Sequence, residues 1–145
     1  MKIDIVRKGY CMNYKARFGF YLAGFYNLIG ILGFTLFFTD TTLSVTDPVV
    51  FSWVGECGII LWGLAYLAVS RKFTQVPYLV GVFFVEKILY AVAWFTWLIS
   101  HTETVAALAN PIMQAFFYSY GFGDFCFAIF FGCVFFKLMR GGYKA

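Results

Sequence analysis

Four long apolar blocks constrain this chain more than any other feature of its sequence. Each is about 20 residues or more, close to the length of α-helix that crosses the roughly 30 Å hydrocarbon core of a bilayer. The blocks cover residues 18–38, 49–69, 78–98 and 112–138. The sequence therefore predicts an all-α polytopic membrane protein, a four-transmembrane-helix bundle over residues 18–138. A basic N-terminal segment (1–17), cytoplasmic or at the membrane interface, precedes it, and a cytoplasmic tail (139–145) follows it.

The composition argues against a soluble domain. Hydrophobic residues make up 62% of the 145 residues and charged residues only 12%, whereas about a quarter of a soluble domain is charged. The net charge of +4 does not indicate a nucleic-acid partner, because the basic residues lie at the ends of the blocks and form no patch. Membrane lipids are the expected surroundings.

The distribution of basic residues predicts the orientation. All but one of the 11 Lys and Arg residues precede the first block, separate the second from the third, or lie at or beyond the end of the fourth. The connections 39–48 and 100–111 contain no Lys or Arg. Because positive charge accumulates in cytoplasmic loops, we expect a multi-pass protein of the cell inner membrane with both termini in the cytoplasm.

Prolines mark the expected starts of three helices. Pro48, Pro77 and Pro111 each stand where an apolar block begins, and the first helical position is where a missing N–H costs least. Asp47 and Asn110 precede two of them and are candidate N-caps.

Five polar residues inside the apolar blocks are the candidate functional residues. Burying an ionisable group at the bilayer centre costs about 2.5–3.5 kcal/mol on insertion scales, so such a group usually faces a partner or water. Each helix carries at least one polar residue at a similar depth, with Glu56 displaced toward the outside. The predicted cluster for transport or ligand binding consists of Asn27, Glu56, Glu86, Lys87 and Asp124.

The spacing of small residues predicts which faces pack. Gly121, Ala128 and Gly132 lie around Asp124 at steps of three and four residues, which lets another helix approach. The Phe residues of the last block are expected to face lipid, namely Phe116, Phe117, Phe127, Phe130, Phe131, Phe135 and Phe136. Glu86 and Lys87 are consecutive, so their side chains diverge by about 100°. Either one of them faces a neighbouring subunit, or Lys87 lies between Glu86 and Asp124.

The sequence predicts no catalytic residues, no metal site and no cofactor. His101 is the single histidine and lies in an outer loop, so the spans offer no axial His for haem. The four cysteines form no C-x-x-C pair, and three of them lie in apolar blocks, where cysteine behaves as a small hydrophobe.

Two short motifs resemble those of a group of small bacterial membrane proteins. Tyr26-Asn27-Leu28-Ile29-Gly30 in the first helix and Gly123-Asp124 in the last are similar to uncharacterised four-helix inner-membrane proteins. The resemblance covers the four-span outline and implies no activity. Sterol-isomerase-like and DoxX-like four-helix families also keep acids inside their bundles, but their motifs do not match this chain residue by residue.

The predicted cluster leads to several functional hypotheses. The first is a small transport or channel protein that handles protons or cations through midplane carboxylates, as a homo-oligomer or with a partner membrane subunit. The second is a membrane-embedded binder, or an isomerase, of a lipid-like ligand. The third is an accessory subunit of a larger membrane complex. A cluster that only holds the bundle together is the structural alternative.

Overall fold

A computed structural model describes the backbone of residues 2–141 and the side chains of residues 14–141. This part of the chain contains α-helices and no strand. The helices are α1 (Lys2–Phe34), α2 (Thr42–Thr46), α3 (Trp53–Val69), α4 (Pro77–Ala106) and α5 (Pro111–Met139), with a 3-10 turn at Phe73–Gln75 between α3 and α4. The all-α prediction is confirmed. Helix α1 is continuous through the predicted boundary at residue 17, and residues 142–145 of the predicted tail lie outside the described residues.

The long helices pack as two antiparallel pairs, α1 with α3 and α4 with α5. Glycines allow each close approach. A Cβ atom at Gly63 of α3 would lie 3.0 Å from the Gly24 carbonyl oxygen of α1. At Gly121 of α5 a Cβ atom would overlap the ring of Trp94, whose indole Nε1 donates a hydrogen bond to the Phe117 carbonyl oxygen at 2.8 Å.

Two of the three proline predictions are confirmed. Pro77 and Pro111 stand at the N-termini of α4 and α5. The Asn110 side chain caps α5 by accepting a hydrogen bond from the Ile112 N–H at 2.9 Å. Pro48 is different, because α3 begins only at Trp53 with Ser52 as its N-cap. Asp47 instead organises the turn before α3, accepting hydrogen bonds from the backbone N–H groups of Val49 and Val50.

The C-terminal ends of two helices, α1 and α4, differ from the ends of the predicted spans. Helix α1 ends at Phe34, and Leu36, Phe37 and Phe38 form a left-handed turn with φ values of 47°, 55° and 66°. Helix α4 continues past the predicted end at Leu98 to Ala106, with non-helical backbone angles at His101. The imidazole of His101 stacks on Trp97 with ring centroids 4.9 Å apart. The apolar blocks therefore do not mark where α1 and α4 end.

Two of the helices, α4 and α5, are long and apolar enough to cross a membrane. Helix α3 is a shorter apolar helix of 17 residues. The four-span arrangement goes beyond this finding.

Two apolar cores lie on either side of the predicted polar layer. The first contains Phe20, Tyr66, Phe73, Phe83 and Phe131. The second contains Ile31, Leu43, Phe51, Phe117 and Tyr120. Phe117 and Phe131 are fully buried, so the expectation that they face lipid is wrong. Phe136 is half exposed, as expected, and the neighbouring α5 surface is formed by Phe122, Phe125 and Ile129.

Candidate functional site

Lys87 of α4 is the centre of a buried polar cluster. Its side chain is 1% exposed, although it is charged. The Nζ atom donates hydrogen bonds to Asp124 Oδ1 of α5 at 2.6 Å and to Asn27 Oδ1 of α1 at 2.9 Å. Asn27 in turn donates through Nδ2 to the Ile59 carbonyl oxygen of α3 at 3.0 Å. One cation thus joins both helix pairs.

Glu86 belongs to the same cluster despite its divergent direction on the helix. Its Oε2 accepts a hydrogen bond from the Tyr66 hydroxyl of α3, and its Oε1 lies 3.9 Å from Lys87 Nζ. This agrees with the second alternative from the sequence, in which Lys87 lies between the two acids. The long side chains of Glu86 and Lys87 compensate for the angle between their Cα–Cβ bonds. Glu86 Oε1 is buried and has no hydrogen-bond partner among the described residues.

Two tyrosines surround the lysine. The Tyr66 and Tyr26 ring centroids lie 5.4 Å and 5.9 Å from Lys87 Nζ, within the range of a cation–π interaction. The Tyr26 hydroxyl donates a hydrogen bond to the Tyr120 carbonyl oxygen of α5 at 2.6 Å. The aromatic rings therefore stabilise a charge that lipid alone would not solvate.

Glu56 lies apart from this cluster. It is buried in the first turn of α3, where the helix dipole favours a carboxylate. Its side chain forms no hydrogen bond or ion pair with any residue from 14 to 141. Of the five candidate residues, the fold therefore brings four together: Asn27, Glu86, Lys87 and Asp124.

A cavity of about 710 Å³ opens above the cluster, between α1 and α5. Asn27, Glu86, Lys87 and Asp124 lie at its base, and the rest of its wall is almost wholly apolar and aromatic. Its outer edges are formed by Ile29 and Ile112, which are 66% and 67% exposed. The cavity therefore opens sideways, on the surface that lipid would cover in a membrane. Its volume lies within the range of small-molecule sites, roughly 300–1,000 Å³.

An aromatic layer closes the other side of the cluster. Phe20 packs against Phe131 and Phe73 with ring centroids 5.2 Å and 5.3 Å apart. Phe83 packs against Tyr66 at 4.8 Å. These side chains are buried to 1% exposure or less, so the cavity ends at the polar cluster.

No family model, curated protein or solved structure matches this chain. The function is therefore argued from its own residues. Residues 14–141 contain no group of three or more His, Cys, Asp or Glu side chains placed to hold a metal ion. The described cysteines, Cys57, Cys126 and Cys133, are free thiols.

Tyr26 and Tyr66 are the site residues that charge-based sequence reasoning misses. Neither is ionised in an apolar environment, so neither attracts attention in a search for buried charge. A signal was nonetheless present, because the hydroxyl of a tyrosine inside an apolar helix requires a hydrogen-bond partner.

Proposed function

We propose that α1, α3, α4 and α5 all cross the inner membrane, with both chain ends in the cytoplasm. Large apolar side chains on the outer face of each helix support this: Ile29, Leu61, Leu89 and Phe122 are each 63–66% exposed. Helix α3 alone is about 25 Å long at 1.5 Å per residue. The apolar turns at Leu36–Phe38 and Val49 are exposed. They lengthen the apolar surface of the α1–α3 pair toward the roughly 30 Å thickness of the hydrocarbon core.

In this membrane the protein binds a lipid-like molecule in the cavity between α1 and α5. The apolar part of the ligand lies along the aromatic wall, and a small polar group reaches the cluster at the base. The observation that carries this proposal is an unpaired acceptor: Glu86 Oε1 is buried without a hydrogen-bond partner, and Glu86 is one of the few polar residues that line a largely apolar cavity. Buried polar atoms are normally paired, and a ligand hydroxyl would provide the missing donor.

The charges favour a neutral polar group. Lys87 already pairs with Asp124 at 2.6 Å, and Glu86 adds a second acid nearby. A phosphate at this site would be repelled by the carboxylates, and the Lys87 ammonium already occupies the position between them where a metal cation would be bound. Hydroxyl or carbonyl groups interact with this mixed cluster without disturbing its charge balance.

Analysis of co-purifying lipids tests the proposal. Wild-type protein, extracted in mild detergent, should carry a stoichiometric apolar molecule that is detected by mass spectrometry. Gly30→Leu should lower its occupancy, because the Gly30 Cβ position points into open space on the cavity wall.

Gly33→Leu is the matched control, since its Cβ position is equally open but lies outside the cavity wall. Equal occupancy in Gly30→Leu and Gly33→Leu, or no bound molecule in the wild type, would contradict ligand binding in this cavity.

Proton or cation transport is the second candidate function. It is favoured by the same Glu86 oxygen, because a buried carboxylate with one oxygen free of hydrogen bonds is a site where a proton can be exchanged. Flux into liposomes that requires both Glu86 and Asp124, and that is lost in Glu86→Gln and Asp124→Asn, would support transport. Wild-type liposomes without flux would exclude it.

A further inference from the structure

A second cavity lies on the opposite face of the α4–α5 pair, near the C-terminal end of α5. It has a volume of about 460 Å³ and is lined by Phe84, Ile129, Gly132, Cys133, Phe136, Lys137 and Arg140. Gly132 lets the Phe84 ring pack closely against α5, because a Cβ atom there would lie 3.0 Å from that ring. The groove is apolar along its length and basic at one end.

Lys137 and Arg140 lie close enough together to contact one anionic group. Lys137 and Arg140 are three residues apart, so they lie on the same helix face with Cβ atoms about 5–6 Å apart. Both side chains are exposed, and neither forms an ion pair with an acid among residues 14–141. The proposed topology places them at the cytoplasmic interface, where anionic lipid headgroups are concentrated.

We propose that this groove binds one anionic phospholipid of the cytoplasmic leaflet, with an acyl chain along Phe84, Ile129 and Cys133 and its phosphate between Lys137 and Arg140. The charge complementarity and the apolar length of the groove together select this ligand. The inference depends on the proposed membrane topology but not on the ligand cavity between α1 and α5. It adds a site for a charged lipid to a protein whose main cavity favours a neutral one.

A structural explanation of the two cations makes a different prediction. Lys and Arg in the last turn of a helix stabilise its dipole, and that effect does not depend on the lipid present. Lipid selectivity therefore separates the two explanations.

Native mass spectrometry of the full chain with added phosphatidylglycerol or phosphatidylcholine of identical acyl chains tests the site. Wild-type protein should bind one phosphatidylglycerol more tightly than phosphatidylcholine. Lys137→Gln/Arg140→Gln should weaken phosphatidylglycerol binding roughly 30-fold, from two contacts of about 1 kcal/mol each. Arg71→Gln/Lys72→Gln, which removes two exposed basic residues outside the groove, should leave it unchanged.

Two further measurements test the role of the groove. Cys133→Phe retains both cations but fills the groove, so it should also lose the tight phosphatidylglycerol site. Glycerol phosphate, which has the headgroup charge and no acyl chain, should not compete at equal concentration. Equal affinity for both lipids in the wild type, unchanged binding in either groove variant, or competition by glycerol phosphate would overturn the proposal.

Discussion

Lys87 of α4 connects all four long helices through hydrogen bonds of a single ammonium group and one amide. Its ammonium group donates hydrogen bonds to Asp124 of α5 and Asn27 of α1, and the Asn27 amide donates one to the α3 backbone. A buried ion pair of this kind adds little net stability relative to apolar residues, but removal of one partner leaves an uncompensated charge. The pair thus makes the fold sensitive to single substitutions and tolerant of paired ones.

A double-mutant cycle on this pair is the first prediction. Lys87→Met should lower the unfolding free energy by about 3–5 kcal/mol, because it leaves the Asp124 carboxylate buried without a cation. Lys87→Met/Asp124→Leu should recover most of that loss. Leu89→Met, on the exposed face of α4, is the control and should change little.

Unfolding of the variants in lipid bicelles gives the required free energies. If the double variant loses the sum of the two single effects, Lys87 and Asp124 do not act as a pair.

The sequence predicts only some of the contacts of individual residues in the cluster. Buried charge is visible in a hydropathy pattern, and so Lys87 and Asp124 could be predicted to meet at one depth. The separation of Glu56 could not, because the distance of its side chain from the cluster depends on how α3 packs against the other helices. The partner of Glu86 depends on the position of Tyr66, which follows from tertiary packing and not from local sequence.

At the scale of elements, the α1–α3 pair depends on contact between two glycines. Gly24 and Gly63 face each other, and a Cβ atom added to either would lie 3.0 Å from the carbonyl oxygen of the other. Small residues at helix crossings in membranes allow this approach, and packing there provides much of the association energy.

Substitution at this crossing is the second prediction. Gly63→Val should destabilise the protein by about 1–3 kcal/mol, the usual cost of overpacking, because its side chain would meet the Gly24 carbonyl and Asn27. Gly58→Val is the matched control on the same helix, since nothing lies within 4 Å of its Cβ position. Thermal unfolding in one detergent compares the two, and equal midpoints would show that α1 and α3 do not cross closely at Gly63.

Helix starts were predicted well where a local signal existed. Pro77, Asn110 and Pro111 mark helix starts by their own backbone chemistry. Hydropathy indicates where a chain would leave the bilayer, but a helix can continue beyond that point. Helix α4 does so, through Thr102 and Glu103 to Ala106. The left-handed turn at Leu36–Phe38 has no sequence signal, because none of its residues is Gly or Asn.

At the scale of the whole molecule, the proposed four-span topology places residues 39–52 and 107–110 on the outer side. The connection between α3 and α4, with Arg71 and Lys72, then lies in the cytoplasm. This arrangement follows the charge bias of the sequence and places both proposed ligand sites within reach of lipid.

Cysteine labelling in intact cells is the third prediction. In a variant without its native cysteines, Thr41→Cys should react with a membrane-impermeant maleimide, whereas Lys72→Cys should react only after lysis. Both positions are exposed, so local burial does not explain a difference. Equal labelling of both in intact cells, or the reverse order, would contradict the topology.

The cavity between α1 and α5 is proposed to hold a lipid-like ligand on the Lys87 cluster. An experimental density map of the protein in lipid nanodiscs tests it most directly. We predict continuous elongated density between α1 and α5 that ends within hydrogen-bond distance of Glu86 Oε1. Side chains filling the cavity, or only a file of water molecules leading past the cluster to the cytoplasmic side, would contradict it.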